Sequence, residues 1–319
     1  MKGYIIKRTG LIFVTAAIII FLVFVFVKLL PNYQQAVLGV DPELRKILDE
    51  IEGFNKPILE QFWIWVKNFF TTGSLGRSLT RKRDVAAILG DRIPISMRLN
   101  IVPYLLSIPT GIGLGIWAAL KKNKMTDHVI STGVVVFISV PTFVVASLMQ
   151  YYVVYAWKLI DTPFVLANID FAQNIGRGLA SYIMPVLVML IGSVASLTRL
   201  TRAELTEVLT SEFMLLCRTK GLTTGQATRR HALRNALVPI APSLLGGFLG
   251  LLSGSMIIET IFRVGGIGGI YIEAFNSRDY SLIMGYLVFY TVLSLFAGLI
   301  VDISYGIIDP RIRVGAGKR

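Results

Sequence analysis

Side chains able to do chemistry are few in this sequence and poorly spaced for it. The two histidines, His128 and His231, stand far apart, and Cys217 is the only cysteine, so no internal disulfide can form. Neither a His-Glu-x-x-His zinc motif nor a Gly-x-Ser-x-Gly nucleophile turn occurs. The Gly-Ala-Gly-Lys at 315–318 lacks the Ser or Thr, and the following helix, with which a P-loop cradles phosphate and Mg2+. A second glycine-rich run, RVGGIGG at 263–269, follows an apolar segment on its outer side. That position argues against a nucleotide fingerprint and for a turn or re-entrant gate element, with Glu259, Arg263, Gly265, Gly266 and Gly268 as candidate external gate residues. Glu259 and Asp302 stand at the ends of apolar segments, where carboxylates can reach water or pair with a nearby arginine. No catalytic residue, metal or cofactor is expected in the chain itself.

The most patterned polar stretch is Arg199 to Asn235. Glu204, Leu205, Val208 and Leu209, then Phe213, Leu216 and Cys217, fall at helical spacings. Gly221 interrupts the pattern, and Thr223 or Thr224 can cap its restart. A short helix of this kind, with an apolar knob flanked by Arg218 and Lys220, suits docking into a groove of a soluble partner. The alternative from periodicity alone is a solvated basic connection. The candidate docking residues are Glu212, Phe213, Leu216, Cys217, Arg218, Lys220, Gly221 and Leu222.

What must position these residues is a set of membrane helices. Of 319 residues 54% are hydrophobic and only 16% charged, more apolar surface than one soluble core can bury. Six segments are free of charge and long enough, at roughly 20 residues, to cross a bilayer: 9–27, 99–120, 129–157, 179–198, 236–258 and 280–301. The first follows Lys2, Lys7 and Arg8, but its apolar run is too long for a secretory signal core and is read as an uncleaved span.

The net charge of +13 lies in loops rather than on one face, which excludes nucleic acid as the expected partner. With a cytoplasmic N-terminus, the inner loops and ends hold Lys2, Lys7, Arg8, Lys121, Lys122, Lys124, seven positives between 199 and 234, Arg311, Arg313, Lys318 and Arg319, seventeen in all. The short outer loops hold Lys158, Arg177, Arg263 and Arg278, so both termini are expected inside a cell membrane. Residues 31–94 are then an external loop. Within it Pro57 to Phe70 spaces Ile58, Phe62, Ile64, Trp65 and Phe69 as an interfacial amphipathic helix, followed by a turn. Gly246, Gly250 and Gly254 predict a helix-packing seam, whereas Gly111 and Gly115 are as well explained by the ordinary frequency of glycine in membrane helices. Pro109 and Pro141 predict kinks.

The run SEFMLLCRTKGLTTGQATRRHALRNALVP (211–239) resembles the cytoplasmic loop of ABC importer permeases of the oligopeptide/dipeptide family. It keeps an R-x-K-G-L element followed by H-A-L-R-N-A-L-x-P. The broader permease signature is degenerate: Leu215, Leu216 and Cys217 stand where Glu-Ala-Ala would, and Pro239 comes later than usual. GSLGRSL (73–79), DRIPISMRLN (91–100), IIETIFRVGGIGG (257–269), NSRDYSLIMG (276–285) and VDISYGIIDPRIR (301–313) follow in family order. Pro31-Asn32 departs from the usual Pro-Gly-Asp-Pro. The long first external loop is similar to the OppB/DppB type of permease subunit.

The resemblance implies an all-α, six-span type I importer permease fold, with one terminal span at 1–30, a core over 95–308, a cytoplasmic tail at 309–319 and a cytoplasmic coupling helix. It implies a second permease, two cytoplasmic ATPases that bind ATP and Mg2+, and an external binding protein, all around a lipid-embedded subunit importing peptides. A proton- or sodium-coupled transporter or channel would instead call for ionisable residues within the spans or inverted halves, and an intramembrane enzyme for a nucleophile, base or metal set.

Overall fold

The computed structural model describes residues 2–30, 55–166 and 173–308, with a few isolated positions between 42 and 53. The start of the expected external loop, the tail and the 315–318 run lie outside the described residues. Everything regular among the described residues is helix, apart from one isolated antiparallel bridge between Arg77 and Asp84.

Among the described residues four helices and the interrupted run Ile240–Ile261 are long and apolar enough to cross a membrane, and a bent pair supplies a sixth crossing if counted as one span. In chain order the helices are α1 (Lys2–Leu29), α2 (Ile58–Thr72), α3 (Val85–Leu120), α4 (Met125–Ser139), α5 (Thr142–Gln150), α6 (Ile175–Leu209), α7 (Glu212–Thr219), α8 (Thr224–Ala227), α9 (Leu233–Leu237), α10 (Ile240–Gly250), α11 (Met256–Ile261), α12 (Ile267–Asn276) and α13 (Tyr280–Ile308). A π turn, wider than an α turn, follows α5 and another joins α8 to α9.

The expected third span is broken. Pro141 has no N–H to donate and forces Val140 into an extended conformation, so α4 and α5 meet at 91°. Pro109, by contrast, lies inside the unbroken α3. The fourth span does not stop at Thr198: α6 continues to Leu209, and its 35 residues reach about 52 Å, well beyond the hydrocarbon thickness of about 30 Å.

The chain forms two compact units, one of residues 1–97 with 252–299 and the other of 98–251 with 300–319. In the first, Phe24 of α1 meets Phe62 and Trp65 of α2, with the Phe24 and Phe62 ring centres 5.3 Å apart. The apolar stripe of α2 therefore packs on protein, and its opposite face, with Leu59, Trp63 and Phe70, is the exposed one. Asp279, fully buried, caps α13 through the Leu282 N–H. It also accepts bonds from the Ser78 and Thr80 hydroxyls and the N–H groups of Leu79 and Thr80, which staples the 73–80 turn to the last span.

In the second unit the close helix approach falls at Gly111 and Gly115, not at the glycine triple. A methyl at Gly111 would lie 2.8 Å from the Leu197 Cβ, and one at Gly115 2.5 Å from the Thr201 Cβ, so α3 and α6 touch backbone to side chain there. The expected seam is corrected accordingly: a methyl at Gly246 would lie 3.3 Å from Val301, one at Gly250 would meet nothing within 4 Å, and Gly254, at φ +71° in the break before α11, lies against Gly268 and Glu259. The triple does not form a single contact line.

Candidate functional site

Two of the sequence-derived sites can be built from their residues upward. The first is the connection after α6. Thr210 and Ser211 end the long helix, and α7 begins at Glu212, an acidic residue in the first turn where the helix dipole favours it; Arg218 sits in the last turn. Lys220 ends the helix and Gly221 takes φ +83°, a left-handed conformation that side chains resist. Its N–H donates to the Arg218 carbonyl. Thr223, not Thr224, is the cap of the restart: its hydroxyl accepts from the Gln226 N–H, and the Gln226 side chain accepts from the Thr223 N–H.

α7 has two faces. Met214 and Cys217, one turn apart, are buried with Ala119, Leu205, Ala227, Ala232 and Ala236, and Val208, Leu209 and Leu222 pack around them. Glu212, Phe213, Leu215, Leu216, Arg218, Lys220 and Gly221 are exposed. The His231 ring stands edge-on to Phe213, 6.0 Å between centres. Cys217 and Leu222, expected among the docking residues, instead belong to the underside: Cys217 is 6% exposed and holds the helix down. Leu215, absent from the expected set, is the most exposed apolar residue of α7 at 62%. The i, i+3 spacing of Met214 and Cys217 is the sequence signal that would have turned it outward.

An ion pair with a buried carboxylate fixes the helix that carries this element. Arg202, on the extension of α6 and one turn before the buried Leu205, donates to Asp127 from Nε at 2.5 Å and from Nη2 at 2.8 Å. The Asn123 N–H and the Ser131 hydroxyl complete the carboxylate's shell at 3.0 and 3.1 Å. Asp127 is 2% exposed and Arg202 32%. Bidentate pairing of this kind sets orientation as well as adding attraction. The extension is thereby tied to the start of α4, and the helix seated on it inherits that position.

The second site is the glycine-rich turn of the other unit. Glu259, expected to reach water, is fully buried, and that expectation is corrected. Its Oε1 accepts from the Ser96 hydroxyl at 2.6 Å and the Ser255 N–H at 3.1 Å, and its Oε2 from the Gly269 N–H at 2.9 Å. Ser96 Oγ in turn accepts from the Ile267 N–H, so one hydroxyl links α3, α11 and the start of α12. The glycines are there because nothing larger fits: a methyl at Gly266 would collide with Ser96 and Glu259, and one at Gly268 would lie 2.7 Å from the Met256 nitrogen. Gly265 keeps its carbonyl on the Arg92 guanidinium at 2.7 Å. Arg263 and Gly265 are exposed, beside an open hollow of about 600 Å3 that Arg92 and Glu273 also line. The turn is a carboxylate clasp, and the buried Glu259 leaves its backbone N–H donors no room for phosphate. Asp302, the other carboxylate singled out in the sequence, is half-buried near the end of α13.

Comparison with known proteins yields consistent matches. The family described as "Binding-protein-dependent transport system inner membrane component" matches residues 111–314. The dipeptide transport system permease protein DppB of Lactococcus lactis is 32% identical over 316 residues, covering 98% of this chain and all of that protein. DppB of Bacillus subtilis is 31% identical over 98% of this chain and 99% of its own. The oligopeptide transport system permease protein OppB of Salmonella typhimurium is 31% identical over 98% of this chain and all of its own.

Proposed function

The chain belongs to the family of binding-protein-dependent transport system inner membrane components, and from that premise we propose that it is the peptide-conducting permease of an ATP-driven importer. Its relatives carry names of dipeptide and oligopeptide permeases, and the all-helical, multi-span fold is that of a type I permease. The working parts are a second permease, two cytoplasmic ATPases that bind the ATP and Mg2+, and an external protein that delivers substrate. As a transport component the chain contributes position and motion, and the chemistry happens elsewhere.

The observation that carries this reading is α7: a short helix whose underside is buried on the α6 extension and whose other face offers Phe213, Leu215 and Leu216 between Glu212, Arg218 and Lys220. Exposed apolar side chains on a connection outside the spans fit a groove on a partner. Closure of the ATPases would push on α7, and the Asp127–Arg202 pair would pass that push to α4 as well as α6. Both termini and α7 lie on the cytoplasmic side, as seventeen inner positives against four outer ones favour. On that topology the Glu259 clasp stands at the outer ends of the spans, where it would shape the external gate.

Reconstitution with the second permease, the ATPases and the binding protein tests the proposal. ATP-dependent uptake of a peptide panel is expected. Uptake driven by an ion gradient without ATP would overturn it.

A further inference from the structure

Arg98 is the one charge that α3 carries between Arg92 and Lys121, and it is exposed. Among the described residues it makes no hydrogen bond and no ion pair. It opens onto a cavity of about 610 Å3 lined by Val102, one turn on, and by Leu179, Tyr182, Ile183 and Val186, which form a single stripe along α6. Leu166 also lines the cavity, and its N–H donates at 3.2 Å to the hydroxyl of the fully buried Ser181, so Leu166 is held against α6 by a specific bond. Arg98 lies 22 residues before Leu120, about 33 Å along the helix. It is therefore at the opposite end of the membrane from the basic 121–124 connection, on the side where an importer receives its cargo.

At the outer end of a membrane helix an arginine can keep its charge at the edge of the water, and a guanidinium is built for the two oxygens of a carboxylate. A cavity of several hundred Å3, apolar except for one or two placed polar groups, has the profile of a small-molecule site. Charge selects which end of a peptide it takes: the α-carboxylate is ionised at neutral pH and attracted, and the α-ammonium is repelled. We propose that this cavity is a peptide subsite in which Arg98 takes the C-terminal carboxylate while the last side chain rests against Val102, Leu179 and Ile183. The inference rests on the peptide-importer reading and adds to it a recognised group and its receptor residue.

Two measurements on the complete transporter test it. In proteoliposomes with ATPases and binding protein, Arg98→Gln is expected to lower ATP-driven uptake of a free-acid tripeptide about tenfold, and Arg98→Lys, which keeps charge but not the fork, less. Arg98→Gln is expected to co-purify with the second permease and both ATPases as the unaltered subunit does, which a misfolded subunit would not. Separately, a photoreactive tripeptide is applied to the purified transporter without binding protein, as free acid and as C-terminal amide. The free acid is expected to label α3 or α6, about tenfold more than the amide, with that preference lost in Arg98→Gln. Equal labelling of acid and amide, labelling elsewhere, or an Arg98→Gln defect that appears only in vesicles containing anionic lipid would overturn the subsite. Acid-selective labelling without ATP-driven uptake would support the subsite and fault the importer reading alone.

Discussion

Replacing Arg202 is expected to harm the protein more than replacing its partner, and the reason is in the burial of the two groups. Asp127 is 2% exposed and accepts four hydrogen bonds, two of them from Arg202. Arg202→Gln leaves a carboxylate that water barely reaches with the Asn123 N–H and the Ser131 hydroxyl as its remaining donors, at a cost of about 3 kcal/mol. Asp127→Asn keeps the shape and leaves an arginine 32% exposed, which water can solvate, at about 1–2 kcal/mol. The double variant removes the stranded charge altogether and is expected to cost less than Arg202→Gln alone. Non-additivity of about 2 kcal/mol follows. Unfolding in mixed detergent micelles measures all three, and ATP-driven uptake in proteoliposomes reads the effect on α7, which sits on the helix this pair fixes. Equal cost for the two single changes, or additivity within about 0.5 kcal/mol, would refute the reasoning.

Glu259→Ala leaves the Ser96 hydroxyl and the Ser255 and Gly269 N–H groups without their acceptor, and is expected to destabilise by about 3 kcal/mol, with Glu259→Gln milder; thermal unfolding in detergent distinguishes them. Gly221→Pro cannot adopt φ +83° and loses the N–H bonded to Arg218, so the ATPases should fail to co-purify while membrane insertion persists; normal transport would contradict the docking role. Cys217, buried beneath α7, should react with thiol reagents far more slowly in the folded protein than after denaturation, measured by mass shift; fast labelling would place it on the outer face.

Most spans were legible because hydropathy is local: a run of apolar residues near 20 long has one stable solvent, and α1 and α13 follow from that alone. So was α7, since its capping residues and Gly221 lie within a few positions of one another. The bend at Pro141 was half legible. A proline marks a weak point, but whether the helix kinks or breaks to 91° depends on what the freed carbonyls find nearby. What the sequence could not show were pairs formed across distance. Glu259 and Ser96, Asp279 and Ser78, and Asp127 and Arg202 are each far apart in the chain, so Glu259 read as a segment-end charge and nothing local marked Asp279 or Asp127 as buried. The glycine seam went to Gly111 and Gly115 for the same reason: spacing names a small face, and only the facing helix decides whether it is used.

The central proposal is that this subunit is driven through α7. Labelling Leu215→Cys with a membrane-impermeant thiol reagent tests it most directly, because the native Cys217 is buried and leaves position 215 the accessible thiol. The account predicts labelling in inside-out vesicles only, and strong protection when the ATPases are bound. Labelling in right-side-out vesicles, or labelling that the ATPases do not alter, would contradict it.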